Sequence, residues 1–259
     1  MIQVVEVTHH YGVRPVLRGV SLRIETGEVI ALMGPNGMGK STLLGIMAGV
    51  MSPLRGHVEI DGRVRRRTPE EELEVRKKCV YLPAEAFVPA GMTCRDWLFA
   101  VGRLYEIEEA RLIDHLERLL DLFSLLKEGD NPTSSLSTGQ KRKIALCSAF
   151  VTEAPVMLLD EPFSGGLDPS AILALKGVLQ SLAARDDITI VMATPVPELV
   201  EGIADRVALI QDGRILAYDT IDGLRRLSGC TGPLDQVYER ILSPGTQAKI
   251  ERYLGRSGA

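Results

Sequence analysis

The chain has 259 residues, of which 45% are hydrophobic and 25% are charged, and its formal net charge is −4. This length suits one large α/β domain or two small lobes, and the composition is ordinary for a globular protein. The slightly acidic balance argues against a nucleic-acid-binding surface, which would be strongly basic. No apolar run approaches the roughly 18 residues of a membrane span, and no signal peptide precedes the strand-like segment 2–7. We therefore expect a cytoplasmic protein.

Strand-like and helix-like segments alternate along most of the chain. Residues 1–30 and 57–60 show the apolar–polar alternation and turn residues of an antiparallel sheet. Residues 93–127 carry apolar residues at helical spacing. Further apolar strands are predicted at 79–82, 156–159, 188–193 and 207–210, and further helices near Ser137 and from Ser170 to Ala184. Strands that alternate with helices favour a parallel sheet covered on both faces.

Two other features of the sequence have simple interpretations. The basic run 63–67 is followed by three glutamates at 70–72, so we expect a solvated loop and not a basic docking patch. The cysteines at 79, 94, 147 and 230 lack the spacing of a metal or redox site. We expect them to be reduced thiols, as is usual for cytosolic proteins.

The most specific motif is a glycine-rich loop that lies between the apolar segments 28–33 and 43–49. The loop consists of Gly34, Pro35, Asn36, Gly37, Met38, Gly39, Lys40, Ser41 and Thr42. A strand, such a loop and a helix in this order are typical of a phosphate-binding P-loop. Its glycines let backbone N–H groups face phosphate oxygens, and the helix adds the positive end of its dipole. Lys40 is placed to reach the β- and γ-phosphates, and the Ser41 hydroxyl to ligate Mg²⁺.

A second element of a phosphate site follows the apolar strand 156–159. Asp160 and Glu161 come directly after this strand, and in an α/β sheet such carboxylates face the ligand crevice. Asp160 is placed to hold Mg²⁺ through water beside the P-loop. Glu161 is placed to orient or deprotonate an attacking water. The sequence thus predicts Ser41 and Asp160 as the metal site and Glu161 as the catalytic residue.

Between these two elements lies a stretch that resembles the signature loop of ABC ATPases, which usually reads Leu-Ser-Gly-Gly-Gln. Here the stretch is Leu136, Ser137, Thr138, Gly139 and Gln140. Chemically it is a serine N-cap followed by small residues at the start of a basic helix. The resemblance, which covers residues 1 to about 225, implies that this loop contacts ATP held by another subunit. It also implies that Asp168 bridges to the opposite P-loop.

The resemblance further implies the fold and the nucleotide. It implies an α/β fold with a P-loop NTPase (RecA-like) core, an N-terminal antiparallel β-subdomain and an inserted helical subdomain at about 85–150. The nucleotide-binding domain is expected at 1–225 and a C-terminal extension at 226–259. The ligands are ATP and Mg²⁺, with the glycine-rich loop and Tyr11 as the ATP site. Tyr11 stands where the family stacks an aromatic ring on adenine, and the tail 232–242 is weakly similar to exporter-type subunits.

Three positions depart from the family pattern, and all of them concern hydrolysis. Ala84 stands where the family has a glutamine that senses Mg²⁺ and water, and a one-residue slip would bring Glu85 there. Thr194 is followed by Pro195 where the family has a histidine, and proline offers neither a side-chain donor nor a backbone N–H. The loop between Glu161 and Asp168 holds one additional glycine. We therefore expect intact ATP binding and weakened hydrolysis.

Two hypotheses about function follow from the resemblance. In the first, the chain is an ATP-binding and hydrolysing subunit that forms a homodimer or heterodimer around ATP. It then powers transport by separate membrane-spanning subunits at the inner face of the membrane. Segment 87–92 stands where subunits of the family receive their partner, although core packing explains the same residues equally well. In the second, the chain is a soluble, non-transport ABC ATPase or regulatory ATP-binding module. Such relatives often carry two ATPase domains in one chain, which favours the first hypothesis. Neither involves nucleic acid.

Overall fold

A computed structural model describes residues 1–85, 87–245, 249 and 252–254. In this part of the chain the strands are β1 (Ile2–Tyr11), β2 (Arg14–Ile24), β3 (Val29–Met33), β4 (Arg55–Ile60), β5 (Arg63–Val64), β6 (Cys79–Leu82), β7 (Val156–Asp160), β8 (Thr189–Ala193), β9 (Arg206–Gln211) and β10 (Arg214–Thr220). The helices are α1 (Lys40–Met47), α2 (Pro69–Arg76), α3 (Cys94–Leu104), α4 (Glu109–Leu122), α5 (Thr138–Phe150), α6 (Pro169–Ala183), α7 (Ile221–Ser228) and α8 (Leu234–Leu242). The predicted strands and helices are confirmed, with small shifts at their ends.

The N-terminal sheet is antiparallel, with the strand order β2-β1-β4-β5. Val4 of β1 lies opposite Leu22 of β2 and Val58 of β4, and all three side chains are buried. Arg23, the next residue along β2, is exposed because successive side chains of a strand point to opposite faces. The apolar residues of the alternating sequence therefore form the buried face of this sheet, and the polar residues form its solvated face. This confirms the N-terminal antiparallel β-subdomain.

The second sheet has six strands in the order β10-β9-β3-β8-β7-β6. The neighbours from β9 to β6 run parallel, and β10 pairs with β9 antiparallel. Every residue of β3, β7 and β8 is buried, which explains their uninterrupted apolar sequences. Parallel strands end at the same edge of a sheet, so the loop after β3 and Asp160 at the end of β7 meet there.

Alternate side chains of β3 enter two different hydrophobic cores. Ile30 and Leu32 pack with the buried face of α1 and the antiparallel sheet. Val29, Ala31 and Met33 pack with residues of the helices on the other face of the sheet. The central sheet is thus covered on both faces, and α1 is held against it between the two sheets. This places the first residues of α1 at the carboxyl edge of the strands.

Helices α3, α4 and α5 pack on one another in the region where the helical subdomain is expected. Leu98 of α3, Leu116 of α4 and Ile144 of α5 are buried in the same core as one face of the central sheet. Within the described residues, no helix has both the length and the apolar character that crossing a bilayer requires.

The C-terminal helices pack onto this core as well. Helix α7 spans 221–228, so a boundary at 225 falls inside a helix. Leu234, Val237 and Leu242 of α8 are buried, and they pack in the same core as α5 and α6. The first part of the predicted extension, 226–245, therefore contributes to the core, whereas most of 246–259 lies outside the described residues.

The prediction of a solvated loop at 63–67 is wrong for Arg65. This side chain is buried, and its guanidinium donates a hydrogen bond to the Glu72 carboxylate at 3.0 Å and another to the Ala48 carbonyl at the end of α1. Glu72 also accepts hydrogen bonds from the backbone N–H of Arg66 at 2.9 Å and from the side chain of Arg76 at 2.8 Å. One member of the basic run thus binds β5 and α2 to the end of α1, while Arg66 remains exposed.

Candidate ATP site

The glycine-rich loop runs from β3 to α1 and surrounds the Lys40 side chain. Lys40 donates hydrogen bonds to the carbonyls of Gly34 at 2.7 Å and Pro35 at 3.0 Å. Burial lowers the pKa of Lys40, and the charges of Glu161 and Asp160 oppose that shift. Gly39 has a φ of 101°, and a Cβ there would lie 2.9 Å from the Val16 carbonyl oxygen, so only glycine fits this turn. The loop therefore holds its lysine as an internal cation beside the two carboxylates.

A cavity of about 330 Å³ opens in front of this loop. Most of the predicted ATP-binding residues line it, namely Tyr11, Asn36, Gly37, Gly39, Lys40, Ser41 and Thr42, together with Glu161. Gly34 lies outside the lining, because its Cα faces β9. A Cβ at this position would stand 2.1 Å from the Ile210 carbonyl oxygen. Gly34 thus allows the loop to pass close to β9, and its carbonyl accepts a hydrogen bond from the Lys40 side chain.

Arg14 and Val16 also line this cavity, and the sequence analysis did not select them. Both lie at the start of β2, directly after the turn that follows Tyr11. An arginine three residues after the aromatic residue was the available signal, but a single charged residue in an exposed turn is usually only solvated. The structure gives the cavity two cationic side chains, Lys40 on its floor and Arg14 at its β2 wall.

Tyr11 is positioned by contacts with the P-loop helix and with its own strand. Its hydroxyl lies 3.4 Å from Thr42 Oγ1, and its ring meets the His9 ring edge-on, with centroids 5.1 Å apart. About half of the side chain is exposed, at 54% of its full area. An exposed aromatic ring at the mouth of a phosphate cavity is suited to stacking on a flat base.

Ser41 and Asp160 have the chemistry of a magnesium site. Asp160 is 1% exposed, and its Oδ1 has no hydrogen-bond partner. Burial raises the pKa of Asp160, and a hydrogen bond from the Ser41 side chain opposes that rise. An unpartnered carboxylate oxygen that is buried beside a serine hydroxyl is a costly arrangement that a cation would relieve. The residues present therefore fit Mg²⁺ held between the P-loop and β7.

Glu161 lies between the ATP cavity and a second, smaller cavity of about 140 Å³. Thr194 and Pro195, which follow β8, line this smaller cavity with Glu161. Thr194 is buried, and its Oγ1 accepts a hydrogen bond from the Val196 N–H at 3.2 Å. The structure thus brings Thr194 and the unusual Pro195 next to the predicted catalytic carboxylate. Ala84 and Glu85 are exposed and line neither cavity.

The signature loop does not line the ATP cavity of its own chain. Ser137 caps α5: its Oγ accepts from the Gln140 N–H at 3.3 Å, and Gln140 Oε1 accepts from the Ser137 N–H at 2.9 Å. Ser137 and Thr138 are exposed, whereas Gly139 packs against the backbone of Gly166, with no room for a side chain. This capping box fixes the helix start and leaves Ser137 and Thr138 facing outward.

Asp168 makes its contacts within the same chain. Its carboxylate caps α6 by accepting from the Ala171 N–H at 2.9 Å, and it pairs with Lys143 of α5 at 2.5 Å. The hydrogen bond from Lys143 holds the pKa of Asp168 far below its usual range. The loop after Glu161 is therefore attached to the signature helix, in spite of its additional glycine.

A groove of about 280 Å³ lies between β6 and the helical region. It is lined by Tyr81 of β6, by Pro83 directly after this strand, by Trp97 of α3, and by residues of α5. Phe87, at its border, is 72% exposed. This groove contains the start of the segment that the sequence predicts as the partner-facing surface. It borders the short connection, 83–85, between β6 and that segment.

Comparison with known proteins agrees with this geometry. The family model described as ABC transporter matches residues 17–164. The chain is 32% identical over 206 residues to a probable ABC transporter ATP-binding protein of Azorhizobium caulinodans, covering 80% of this chain and 72% of that protein. It is 34% identical to the lipopolysaccharide export system ATP-binding protein LptB of Acidithiobacillus ferridurans, covering 80% and 84%. A solved ATP-binding subunit of an ABC transporter superposes with a TM-score of 0.85 at 30% identity, covering 93% of this chain and 99% of the other.

The fold and the site define the protein as a P-loop ATPase with an inserted helical region. The match to the family model identifies one family within that class. The chain belongs to the ABC transporter family, as an ATP-binding subunit with ATPase chemistry. The α/β fold with a P-loop NTPase core is confirmed.

Proposed function

We propose that two ATPase chains close around Mg²⁺-ATP and that this motion powers transport by separate membrane-spanning subunits. The observation that supports this most strongly is the division of the site. Tyr11, the P-loop and Glu161 share one cavity, whereas Ser137 and Thr138 are exposed and do not line it. A second chain, identical or related, would bring its exposed signature loop to the open side of this cavity. ATP binding would then favour the closed dimer over separate chains.

Within each site the residues have separate tasks. Lys40 and the backbone N–H groups of the P-loop hold the β- and γ-phosphates, and Arg14 adds positive charge at the cavity wall. Ser41 and Asp160 would hold Mg²⁺, which would supply positive charge that neutralises the phosphate groups. Glu161 orients the attacking water and accepts its proton. The partner's Ser137, Thr138, Gly139 and Gln140 contact the γ-phosphate, and its Asp168 approaches the opposite P-loop.

Hydrolysis is slow in this subunit. Pro195 lines the small cavity beside Glu161 but offers no hydrogen-bond donor toward the γ-phosphate. Ala84 offers no ligating atom for water or Mg²⁺. The binding elements remain, because the P-loop, Tyr11 and Asp160 keep the geometry that phosphate, base and metal require. Binding would therefore drive dimer closure, and the slow step would be the one that reopens the dimer.

The groove beside Phe87 receives the membrane partner. Its walls combine aromatic and small side chains with an exposed phenylalanine, and such a surface suits a short helix of the partner. The subunit would thus lie on the inner face of the membrane without spanning it. The connection 83–85 joins this groove to the hydrolysis residues, so movement of the partner would reach the ATP site.

A comparison of two matched variants tests this assignment. Phe87→Glu places a charge at the groove, and Leu173→Glu places the same charge on α6 at a leucine with nearly equal exposure, 73% against 72%. Tagged chains are purified from detergent-solubilised membranes of the native cell, and co-purifying proteins are quantified by mass spectrometry. We expect wild type and Leu173→Glu to retain a multi-span membrane protein in stoichiometric amount, and Phe87→Glu to lose it.

Two outcomes would contradict the proposal. If the wild type retains no membrane-spanning protein, the chain is not a transport subunit and the soluble ATPase becomes the better assignment. If Phe87→Glu and Leu173→Glu retain it equally, the partner binds elsewhere. ATP binding by each variant shows that the nucleotide site is intact.

A further inference from the structure

Arg142, in the first turns of α5, is a buried cation that has no carboxylate hydrogen-bond partner within the described part of the chain. Its side chain is 1% exposed, and its hydrogen bonds go to backbone carbonyl oxygens. Burial lowers the pKa of its guanidinium, and the charges of Asp160 and Glu161 oppose this shift. Burying a guanidinium is costly, so its hydrogen bonds must be well formed.

The guanidinium of Arg142 joins two segments that are far apart in the sequence. Nη1 donates to the carbonyls of Pro83 at 2.8 Å and Ala84 at 3.2 Å, in the connection after β6. Nη2 donates to the carbonyls of Asp160 at 3.0 Å and Glu161 at 2.6 Å, at the end of β7. The planar guanidinium can serve both segments at once, because its donors diverge in a fixed geometry.

The backbone of Glu161 depends on these bonds. Glu161 has a φ of 46°, which is rare for a residue with a side chain. Its N–H donates to the Ala193 carbonyl at 2.8 Å, and its carbonyl accepts from Arg142 and from both the N–H and the hydroxyl of Ser164. A left-handed conformation costs energy and persists only where its surroundings hold it. The direction of the carboxylate follows from this backbone.

One of the two consecutive glycines in the loop after Glu161 packs against the same arginine. A Cβ at Gly165 would lie 3.0 Å from Cγ and 3.1 Å from Cδ of Arg142. Gly165 has a φ of 84°. The next residue, Gly166, has a φ of 77°, and a Cβ there would approach no atom more closely than 4.0 Å. Gly165 thus makes room for the arginine, and Gly166 does not.

We propose that Arg142 is a positioning residue for ATP hydrolysis, because it fixes the backbone from which Glu161 extends and attaches it to the segment that borders the partner groove. This inference rests on the proposed role of Glu161. Ala84 has no side chain that could link the connection after β6 to the ATP site. In this chain Arg142 makes that link through the Ala84 carbonyl instead.

The test separates the rate of hydrolysis from ATP affinity. Single-turnover hydrolysis with excess enzyme is measured for wild type, Arg142→Lys and Arg142→Met, together with the dissociation constant for ATP. We expect both variants to hydrolyse about 10²-fold more slowly, as a misplaced catalytic group does, with ATP affinity close to wild type. Lysine keeps the charge but cannot span both pairs of carbonyls. Val237→Ala, which shortens a buried side chain of α8 far along the chain from Arg142, controls for a general loss of stability.

A glycine pair tests the same point if the arginine variants fail to fold. Gly165→Ala and Gly166→Ala carry similar backbone strain, but only the first presses on Arg142. We expect Gly165→Ala to lose considerably more hydrolysis than Gly166→Ala, again with ATP affinity retained. Equal losses in the pair, or hydrolysis by Arg142→Lys and Arg142→Met at the rate of Val237→Ala, would overturn the inference. Undiminished hydrolysis by Glu161→Gln would instead refute the proposed catalytic role of Glu161.

Discussion

Pro195 occupies the position at which, in the function proposed above, the missing hydrogen-bond donor slows ATP hydrolysis. It shares a small cavity with Glu161 and Thr194, and the Thr194 hydroxyl already accepts a hydrogen bond from its own loop. The Thr194 hydroxyl retains a proton that it can donate, so it is the natural competitor for the role of the missing donor. Substitution of Pro195 alone can therefore show whether the Thr194 hydroxyl replaces the missing donor.

We expect Pro195→His to hydrolyse ATP faster than wild type. One preorganised donor toward a developing charge typically contributes about 10²–10³ in rate, so an increase of up to this size is expected. Steady-state phosphate release measures it, and Pro195→Ala, which removes the ring without adding a donor, is the control. ATP affinity should change little. Rapid wild-type turnover that histidine does not improve would show that Thr194 or Glu85 supplies the sensing role.

Asp160 and Asp168 have pKa values shifted in opposite directions, and this gives opposite expectations for stability. Burial raises the pKa of Asp160, so its charge at neutral pH destabilises the folded state, and the penalty fades as the pH falls through that pKa. The hydrogen bond from Lys143 lowers the pKa of Asp168, so its charge stabilises the folded state, and this is lost as the pH falls below the usual aspartate range.

Asparagine at each position should therefore shift the melting temperature of the nucleotide-free protein in opposite directions near neutral pH. We expect Asp160→Asn to raise it and to abolish the Mg²⁺-dependent part of ATP binding, because the metal loses its carboxylate. Asp168→Asn should lower it. Thermal unfolding in EDTA, with ATP titrations in the presence and absence of Mg²⁺, measures both effects. A lower melting temperature for Asp160→Asn would contradict the account of this buried charge.

At the scale of elements, the sequence predicts what depends on local pattern. The P-loop between β3 and α1, the carboxylates after β7 and the serine cap of α5 are each specified by residues close together in the chain. The antiparallel sheet is visible because Val4 and Leu22 belong to alternating runs. Such features need no knowledge of distant contacts, and the structure confirms them.

Features that depend on distant contacts escaped prediction. Arg65 and Arg142 each belong to short basic runs, and nothing local distinguishes a buried arginine from a solvated one. Their burial is decided by carbonyl oxygens at Ala48 and at Asp160, which only the fold brings near. Arg14 likewise joins the ATP cavity because β2 passes beside the P-loop. For Gly34 the local motif was visible but its role was not. The motif predicts a phosphate-binding residue, whereas the structure requires glycine there because the loop passes close to β9.

Helix α8 gives an element-scale prediction about stability. Leu234 is 1% exposed and packs in the large core, whereas Leu227 of α7 is 66% exposed. We expect Leu234→Ala to lower the free energy of unfolding by about 2–5 kcal/mol, as buried leucines do, and Leu227→Ala to change it by less than about 0.5 kcal/mol. Denaturant unfolding measures both. Equal, small effects would mean that α8 does not belong to the core.

At the scale of the whole molecule, the proposed dimer would build each of its two ATP sites from both chains. The residues proposed to bind the base and the phosphates line one cavity, and the exposed start of α5 lies outside it. Lys143 and Arg142 connect that helix start to the loop after Glu161 in the same chain. A second chain that docks on the signature loop of this chain would therefore also affect the hydrolysis residues of this chain. Arg142 also bonds to the connection 83–85, and this connection borders the groove beside Phe87. The proposed function would therefore couple three events, namely ATP binding, pairing of chains and engagement of a membrane partner.

The measurement that tests this account most directly is the nucleotide dependence of dimerisation. Glu161→Gln should bind ATP without consuming it, and light scattering should then show a dimer, either of the chain alone or with its related partner subunit. Adding Ser137→Arg should abolish the dimer, because it places a bulky cation where the second chain's phosphate would lie. Adding Ser124→Arg, in the turn after α4, should leave it unchanged. Only monomer with ATP, or a dimer indifferent to Ser137→Arg, would contradict the account.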